Sequence, residues 1–440
     1  MGWSLARDFT GYARVQRRYW IVSFAFLIGF AYLQFEANPL ARHPYALSQS
    51  LGSTSAAEHG VPDPARKTSG GADMECASLP GANDTVIIMK TGATELEDKF
   101  PIHLTTTLRC YPHQLVVSDH GEVYEGFVIH DVLEDVDEHI KATHPDFHLW
   151  RRLRDQGRAG LNASELSGPG VALPDGNGKP ANPGWKLDKW KFLPMMRKTL
   201  EAFPDKKWYV FVETDTYIFW STWLAYSAVL DWQKPYYIGA EMQIGEVLFA
   251  HGGSGYAVSR PALEQVVQDY TSHKQDWEKF TDGHWAGDCV LGKAFAESGT
   301  QLTWAWPIWQ GDPIHNMKYD RVENDRQLWC DPSVSYHRMT PSAIEDLWNY
   351  EQSWVDRREN ISLPYHRHSD IYANYVLPKS SDPRESWDNN ATDDKGPAKT
   401  PAACRAICEA DESCVQYVLN DEGKCLTTWR PSFGEAATGR

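Results

Sequence analysis

One stretch constrains this chain more than any other: Trp208 to Trp220, WYVFVETDTYIFW. The apolar run Trp208-Tyr209-Val210-Phe211-Val212 reads as a buried strand. It ends in Glu213-Thr214-Asp215, two acids one position apart. Carboxylates at i and i+2 of a strand share a face, and at a strand end both reach one cation. Oxygen ligands of this kind suit hard divalent ions such as Mn²⁺ or Mg²⁺, which in turn suit a diphosphate.

Further strands with polar ends surround it. TVIIM, ending at Met89, runs into Lys90-Thr91-Gly92, and Gln114-Leu115-Val116-Val117 runs into Ser118-Asp119-His120. Residues 102–107 between them read as helical. Strand, helix, strand with small or acidic residues at the strand ends opens an α/β domain, where ligands bind outside the carboxyl ends of strands. Leu187 to Ala202 has helical spacing and leads into the acidic strand, with Pro194 expected at a first turn or a break. Residues 154–184 are rich in Gly, Pro and Asn and read as a surface loop inside the domain.

Downstream, His251-Gly252-Gly253-Ser254-Gly255 precedes the strand-like Tyr256-Ala257-Val258. The glycines either mark a tight turn or let a sugar or phosphate approach the backbone. Asp288, in Gly287-Asp288-Cys289-Val290-Leu291-Gly292, is either a helix cap or a base. His337, in Ser335-Tyr336-His337, is a polar core residue or a nitrogen ligand completing a carboxylate site. Nineteen tryptophans include Trp304, Trp306, Trp309 and Trp329; sequence does not separate core rings from any that line a sugar cleft.

At 440 residues, with a net charge of −16 and a pI near 5.4, the chain has room for one large domain and an accessory, and no basic stripe for nucleic acid. Residues 19–35 are apolar and uncharged, and Arg7, Arg14, Arg17 and Arg18 precede them. The expected organisation is a cytosolic tail (1–18), an uncleaved membrane anchor (19–35) and a stem (36–75). A domain over 76–365, a linker over 366–400, a cysteine-dense module over 401–430 and a short tail (431–440) follow. Eight cysteines and sequons at Asn83, Asn162, Asn360 and Asn390 agree with an oxidising lumen.

From Lys90 to about Trp354 these blocks, in this order, resemble glycosyltransferase family 31, the Fringe and core 1 β1,3-galactosyltransferase group. The resemblance implies a GT-A fold, an α/β Rossmann-like mixed sheet with flanking helices. It also implies a Golgi type II membrane protein with a lumenal catalytic domain. The implied reaction is an inverting transfer of a hexose, galactose or N-acetylglucosamine type, from a UDP-sugar to a glycan or glycoprotein in β1,3 linkage, with Mn²⁺ or Mg²⁺. By the same resemblance Glu213, Asp215 and His337 hold the metal, and Asp288 is the base. Thr91, Asp119, Lys189, Glu213, Gly252 and Gly253 line the donor. Lys189 and Lys191 either hold phosphates or belong to an exposed helix face. The chain has Glu-Thr-Asp where the family usually has Asp-Asp-Asp, which leaves open a non-catalytic lectin or folding partner of a transferase.

The tail Cys404-x₃-Cys408-x₅-Cys414-x₁₀-Cys425 is similar to a shortened PAN/apple module, the alternative being a bare disulfide knot. That similarity implies Cys404–Cys425 and Cys408–Cys414. Cys76 with Cys110 is expected in the main domain, and Cys289 with Cys330 as the remainder.

Overall fold

The computed structural model describes residues 76–167, 182–355, 365–380 and 383–436. The apolar segment 19–35 and residues 36–75 lie outside these ranges, as does Asn360. Among the described residues no helix is long and apolar enough to cross a membrane.

The protein is a mixed α/β structure around one eight-stranded sheet. Its strands are β1 (Thr85–Lys90), β2 (Gln114–Ser118), β3 (Glu122–Tyr124), β4 (Phe127–Asp131), β5 (Trp208–Glu213), β7 (Tyr237–Gly239), β10 (Tyr256–Ser259) and β11 (Leu302–Trp304). The order is β11-β7-β10-β5-β1-β2-β4-β3. β1 lies parallel to both β2 and β5, and β10 is antiparallel to β5 and β7. β1 is buried at every position, as a parallel strand covered on both faces should be. Smaller pairs complete the chain: β6 (Tyr217–Ile218) with β14 (Ser335–Tyr336), β8 (Glu241–Ile244) with β9 (Val247–Ala250), and β12 (Val322–Glu323) with β13 (Arg326–Gln327).

Helices flank the sheet. α1 (Leu96–Lys99) and α2 (Pro101–Thr105) follow β1; the second covers most of the stretch expected to be helical. α3 (Pro183–Ala202) starts at an Asn182 cap that accepts the Gly184 amide at 2.9 Å, with Pro183 in its first turn. Pro194 sits inside this helix, not at a first turn or break. A proline there removes one backbone hydrogen bond. The buried side chains around it, Phe192, Leu193, Met195 and Met196, pack into the main core with Val86, Phe211, Tyr256 and Leu291 and keep the helix continuous. α4 (Arg260–Ser272), α5 (Lys274–Asp282) and α6 (Gly287–Glu297) add to that core. In the stretch read as a loop, a helix ends at Gln156 and short 3-10 turns follow; residues 168–181 lie outside the described ranges.

The C-terminal part is small. β16 (Asp393–Pro397), β18 (Lys424–Thr428) and β17 (Gln416–Leu419) form an antiparallel sheet under α7 (Pro401–Glu409). β16 belongs to the stretch read as linker, so the tail's sheet begins before position 401. Three expected disulfides are present: Cys76–Cys110, Cys404–Cys425 and Cys408–Cys414. The fourth is not. Cys289 is a buried thiol on α6, packed with Phe249 and Ala286, while Cys330 is an exposed thiol near Gln327.

Candidate metal and donor site

The site lies where β1, β2 and β5 end. The register pairs Lys90 with Glu213 across β1 and β5. β5 stops at Glu213, and Asp215 follows in a turn closed by the Thr216 amide on the Glu213 carbonyl at 3.0 Å. His337 arrives from far along the chain through β14. Its neighbour Tyr336 pairs with Tyr217 and Ser335 with Ile218, and the Met339 amide donates to the Asp215 carbonyl at 2.8 Å. These short pairings set the imidazole beside the acids.

One oxygen or nitrogen from each of Glu213, Asp215 and His337 lies within 4.8 Å of the others. His337 Nε2 is 3.4 Å from Asp215 Oδ1 and 3.9 Å from Glu213 Oε2. Asp215 Oδ1 makes no hydrogen bond beyond this ion pair, and it is Nε2, not Nδ1, that faces the acids. The case for a cation therefore rests on the donor set, two carboxylates and one imidazole nitrogen turned toward one another. Gly253 makes room for the imidazole: a Cβ there would stand 2.2 Å from His337 Cε1. Gly287 serves α3 in the same way, since a Cβ would stand 2.4 Å from the Phe192 ring.

Lysines surround the acids. Lys90 Nζ contacts Asp188 at 2.7 Å and Glu213 at 3.0 Å, over the Phe192 ring. Lys99 bridges Glu95 and Asp215 at 3.0 Å each. Lys191 is buried, 2.9 Å from Asp119, and donates to the Thr91 carbonyl at 2.8 Å. Burial works against the charge on Lys90 and Lys99, but their paired carboxylates hold both well above the ordinary lysine value. Burial likewise opposes ionisation of Asp215, yet Lys99 and His337 hold its carboxyl far below the usual range. Burial lowers the His337 imidazole, and Asp215 and Glu213 more than offset this, so it ends raised. The three ammonium groups face the carboxylates of Glu95, Asp119, Asp188, Glu213, Asp215 and Asp288, an acidic excess that a divalent cation would offset.

Asp288 stands in the first turn of α6, opposite the glycine turn. Its Oδ2 accepts the Gly252 amide at 3.1 Å and its Oδ1 the Cys289 amide at 2.9 Å. Burial pushes its carboxyl up, while the Gly252 amide and Lys90 pull it back part of the way. The helix cap is Ala286, without a side-chain cap bond, so Asp288 is not the cap: it braces the first turn and the glycine turn and stays the candidate base. Thr91 and Asp119 lie at the ends of β1 and β2; Thr91 Oγ1 is buried without a hydrogen bond.

The sequence-selected residues converge with one exception. Lys189 turns to the Asp146 carboxylate at 3.1 Å and the Asp282 carbonyl at 3.0 Å, contacts outside the acidic cluster. Lys191 is buried beside Asp119, which excludes the exposed-face alternative for it. Lys90, Lys99 and Asp188 were not singled out by sequence. The i, i+3 spacing of Asp188 and Lys191 was a readable sign that both share the helix face toward β1. No protein-family model matches the chain, and no curated protein matches it in sequence.

Proposed function

We propose that the protein is an inverting glycosyltransferase of GT-A type. It takes a UDP-hexose as donor, depends on Mn²⁺, and transfers the sugar to a glycan hydroxyl in β1,3 linkage. The observation that carries the reading is the meeting of the Glu213 and Asp215 carboxylates with His337 Nε2 at the end of β5. Two carboxylates and one imidazole fit Mn²⁺ chemically. When bound, such an ion neutralises charge developing on a departing diphosphate.

The chain's own groups supply the rest. Lys90 and Lys191, fixed by Asp188, Glu213 and Asp119, offset part of the acids' charge at the donor end without reorienting during reaction. Asp288 takes the proton from the acceptor hydroxyl as that oxygen attacks the anomeric carbon and the bond to UDP breaks. Its raised carboxyl makes it a stronger base than an exposed aspartate. The Gly252 amide fixes its rotamer and leaves lone pairs on both oxygens free for the acceptor. On this reading the chain works in the lumen of the secretory pathway, in keeping with its disulfides.

One observation favours a second reading. Lys99 already lies on Asp215 Oδ2 at 3.0 Å, a counter-ion built into the fold. A site satisfied this way would serve a non-catalytic carbohydrate binder. The test is a UDP-hexose hydrolysis panel with and without Mn²⁺, beside calorimetry of UDP binding. The transferase reading expects Mn²⁺-dependent UDP release from at least one donor. Metal-independent binding with no UDP release would support the binder instead.

A further inference from the structure

Trp190, Trp208, Trp220, Trp223, Trp306 and Trp309 are buried. Trp285 is the opposite case: at 77% it is the most exposed large apolar side chain among the described residues. A single exposed ring is unremarkable by itself. Its place, on a turn whose backbone is tied down, is what matters. Trp285 lies in the turn of residues 283–286 between α5 and α6, three positions before Asp288.

This turn is held firmly. The Ala286 amide donates to His284 Nδ1 at 3.1 Å. The rings of Phe280, His284 and Trp285 stack in series, with centroids 5.7 Å and then 6.4 Å apart and interplanar angles of 29° and 13°. Phe280 in turn meets buried Trp277 edge-on at 6.1 Å. The next residue, Ala286, packs with Phe249, Cys289, Ile244 and Val247. Three of these belong to the β8–β9 hairpin, which runs directly into His251-Gly252-Gly253. One small apolar cluster therefore ties together the glycine turn, the start of the Asp288 helix and the base of the Trp285 turn.

We propose that Trp285 is the platform on which a pyranose ring of the acceptor stacks, beside the hydroxyl that Asp288 deprotonates. The inference rests on the transferase reading above. The apolar C–H face of a pyranose complements the negative face of an indole, and the Trp285 ring is open to it. The acceptor end is favoured over the donor end by position. Lys90, Glu213 and Asp215 gather at the strand ends, whereas Trp285 belongs to the turn that leads into Asp288.

The test uses the full chain with p-nitrophenyl pyranosides as acceptors, following transfer and UDP release together. Trp285→Ala is expected to raise the acceptor KM about tenfold and to shift the products from transfer toward hydrolysis. Trp285→Phe, which keeps a ring, should recover part of the loss. Trp429→Ala, at an exposed tryptophan of the tail, should leave the acceptor KM alone. An acceptor KM unmoved by Trp285→Ala in an active enzyme overturns the inference and spares the transferase reading. Equal loss of transfer and hydrolysis in both Trp285 variants makes the ring structural and also overturns it. No Mn²⁺-dependent UDP release from the unsubstituted chain removes the reading and the inference together.

Discussion

The α/β body and the C-terminal tail solve the same problem by different means. The body buries a continuous apolar cluster from Val86 and Ile88 to Leu291 and Phe295. The tail's cluster is Ala398, Cys404 and Cys425 with Ile407, Tyr417 and Leu419 against it, and two disulfides close it. A core that small does not support a fold without staples. The charges follow the same division. Lys191 and Asp119 of the body are buried as a pair, which carries a desolvation cost that their close contact and added hydrogen bonds must offset. The tail keeps its pairs outside, as in Lys395–Asp411 and Arg405–Glu409. The two regions meet through polar contacts. Ser432 Oγ and the Gly434 amide donate to the His315 carbonyl, and Arg430 pairs with Asp320. On the transferase reading the chemistry belongs to the body, and the tail should be separable from it.

The largest effect expected is in the body. Asp215→Asn should lower transfer about 10³-fold, about 4 kcal/mol, because an amide lacks the anionic charge a cation needs. Asp288→Asn should cost about 10²-fold yet leave Mn²⁺-dependent UDP binding nearly intact. Calorimetry with UDP and Mn²⁺ tells the two apart. If Asp288→Asn keeps near-normal turnover, Asp288 only braces the glycine turn and the first turn of α6, and the base lies elsewhere.

Replacing Cys404 and Cys425 together by Ser tests the separation directly. Their bridge spans 21 positions, and its loss should destabilise the tail by about 3 kcal/mol. Hydrogen exchange should quicken over residues 393–428, while the protection of β1 and β5 and the rate of UDP release stay as they were. Equal loss of protection in both regions would make them one cooperative unit.

Acid should take the regions apart in the other order. Burial lowers His103, His251 and His368 of the body to about 4 from an ordinary 6.5. Each stays neutral in the fold and takes a proton on unfolding, so the unfolded state binds more protons below pH 6.5. Stability is thus lost as pH falls from about 6.5 toward about 4, on the order of 3 kcal/mol for each residue at the lower end. Residues 387–436 contain no histidine. The tail's Asp411, lowered to about 2 by hydrogen bonds from Ser413 and Lys395, loses its contribution only as pH falls from 3.8 toward 2. Exchange measured near pH 4.5 should show the body loosened before the tail. A tail that opens first would contradict this account.

The frame of the body was legible because its strands declare themselves. Runs such as TVIIM and WYVFV are buried along their length, and their polar ends mark where the site must be. The acids and the glycine turn were legible for the same reason. What brings His337 to them was not, since β6 and β14 have two residues each and no period can be read from two positions. Lys90 and Lys99 look like ordinary surface charges until the carboxylates that surround them are seen. Lys189 and Lys191 differ by two positions on a helix, which separates them by about 200° and sends only Lys191 toward Asp119. The even cysteine count suggested a fourth bridge, but the apolar surroundings of Cys289 on α6 mark it as core.

The smallest effect is the sharpest test of how the body builds its site. Gly253 has no side chain because the His337 ring occupies the space where a Cβ would be, 2.2 Å from Cε1 and 2.4 Å from Nε2. Gly253→Ala must push the ring away from Asp215 and Glu213, since the clash falls on ring atoms and the rest of the imidazole cannot yield. Gly252→Ala meets only the edge of Phe192 at 3.3 Å, which a small ring shift relieves. If His337 ligates the ion, Gly253→Ala should weaken Mn²⁺ binding in the presence of UDP about tenfold, the order seen when a ligand loses its orientation. Gly252→Ala should weaken it less. The body should lose about 1–3 kcal/mol of stability in Gly253→Ala and less in Gly252→Ala, and the tail none. Equal Mn²⁺ affinity in the Gly253→Ala variant and the unsubstituted chain would remove His337 from the ligand set and leave Glu213 and Asp215 to hold the ion alone.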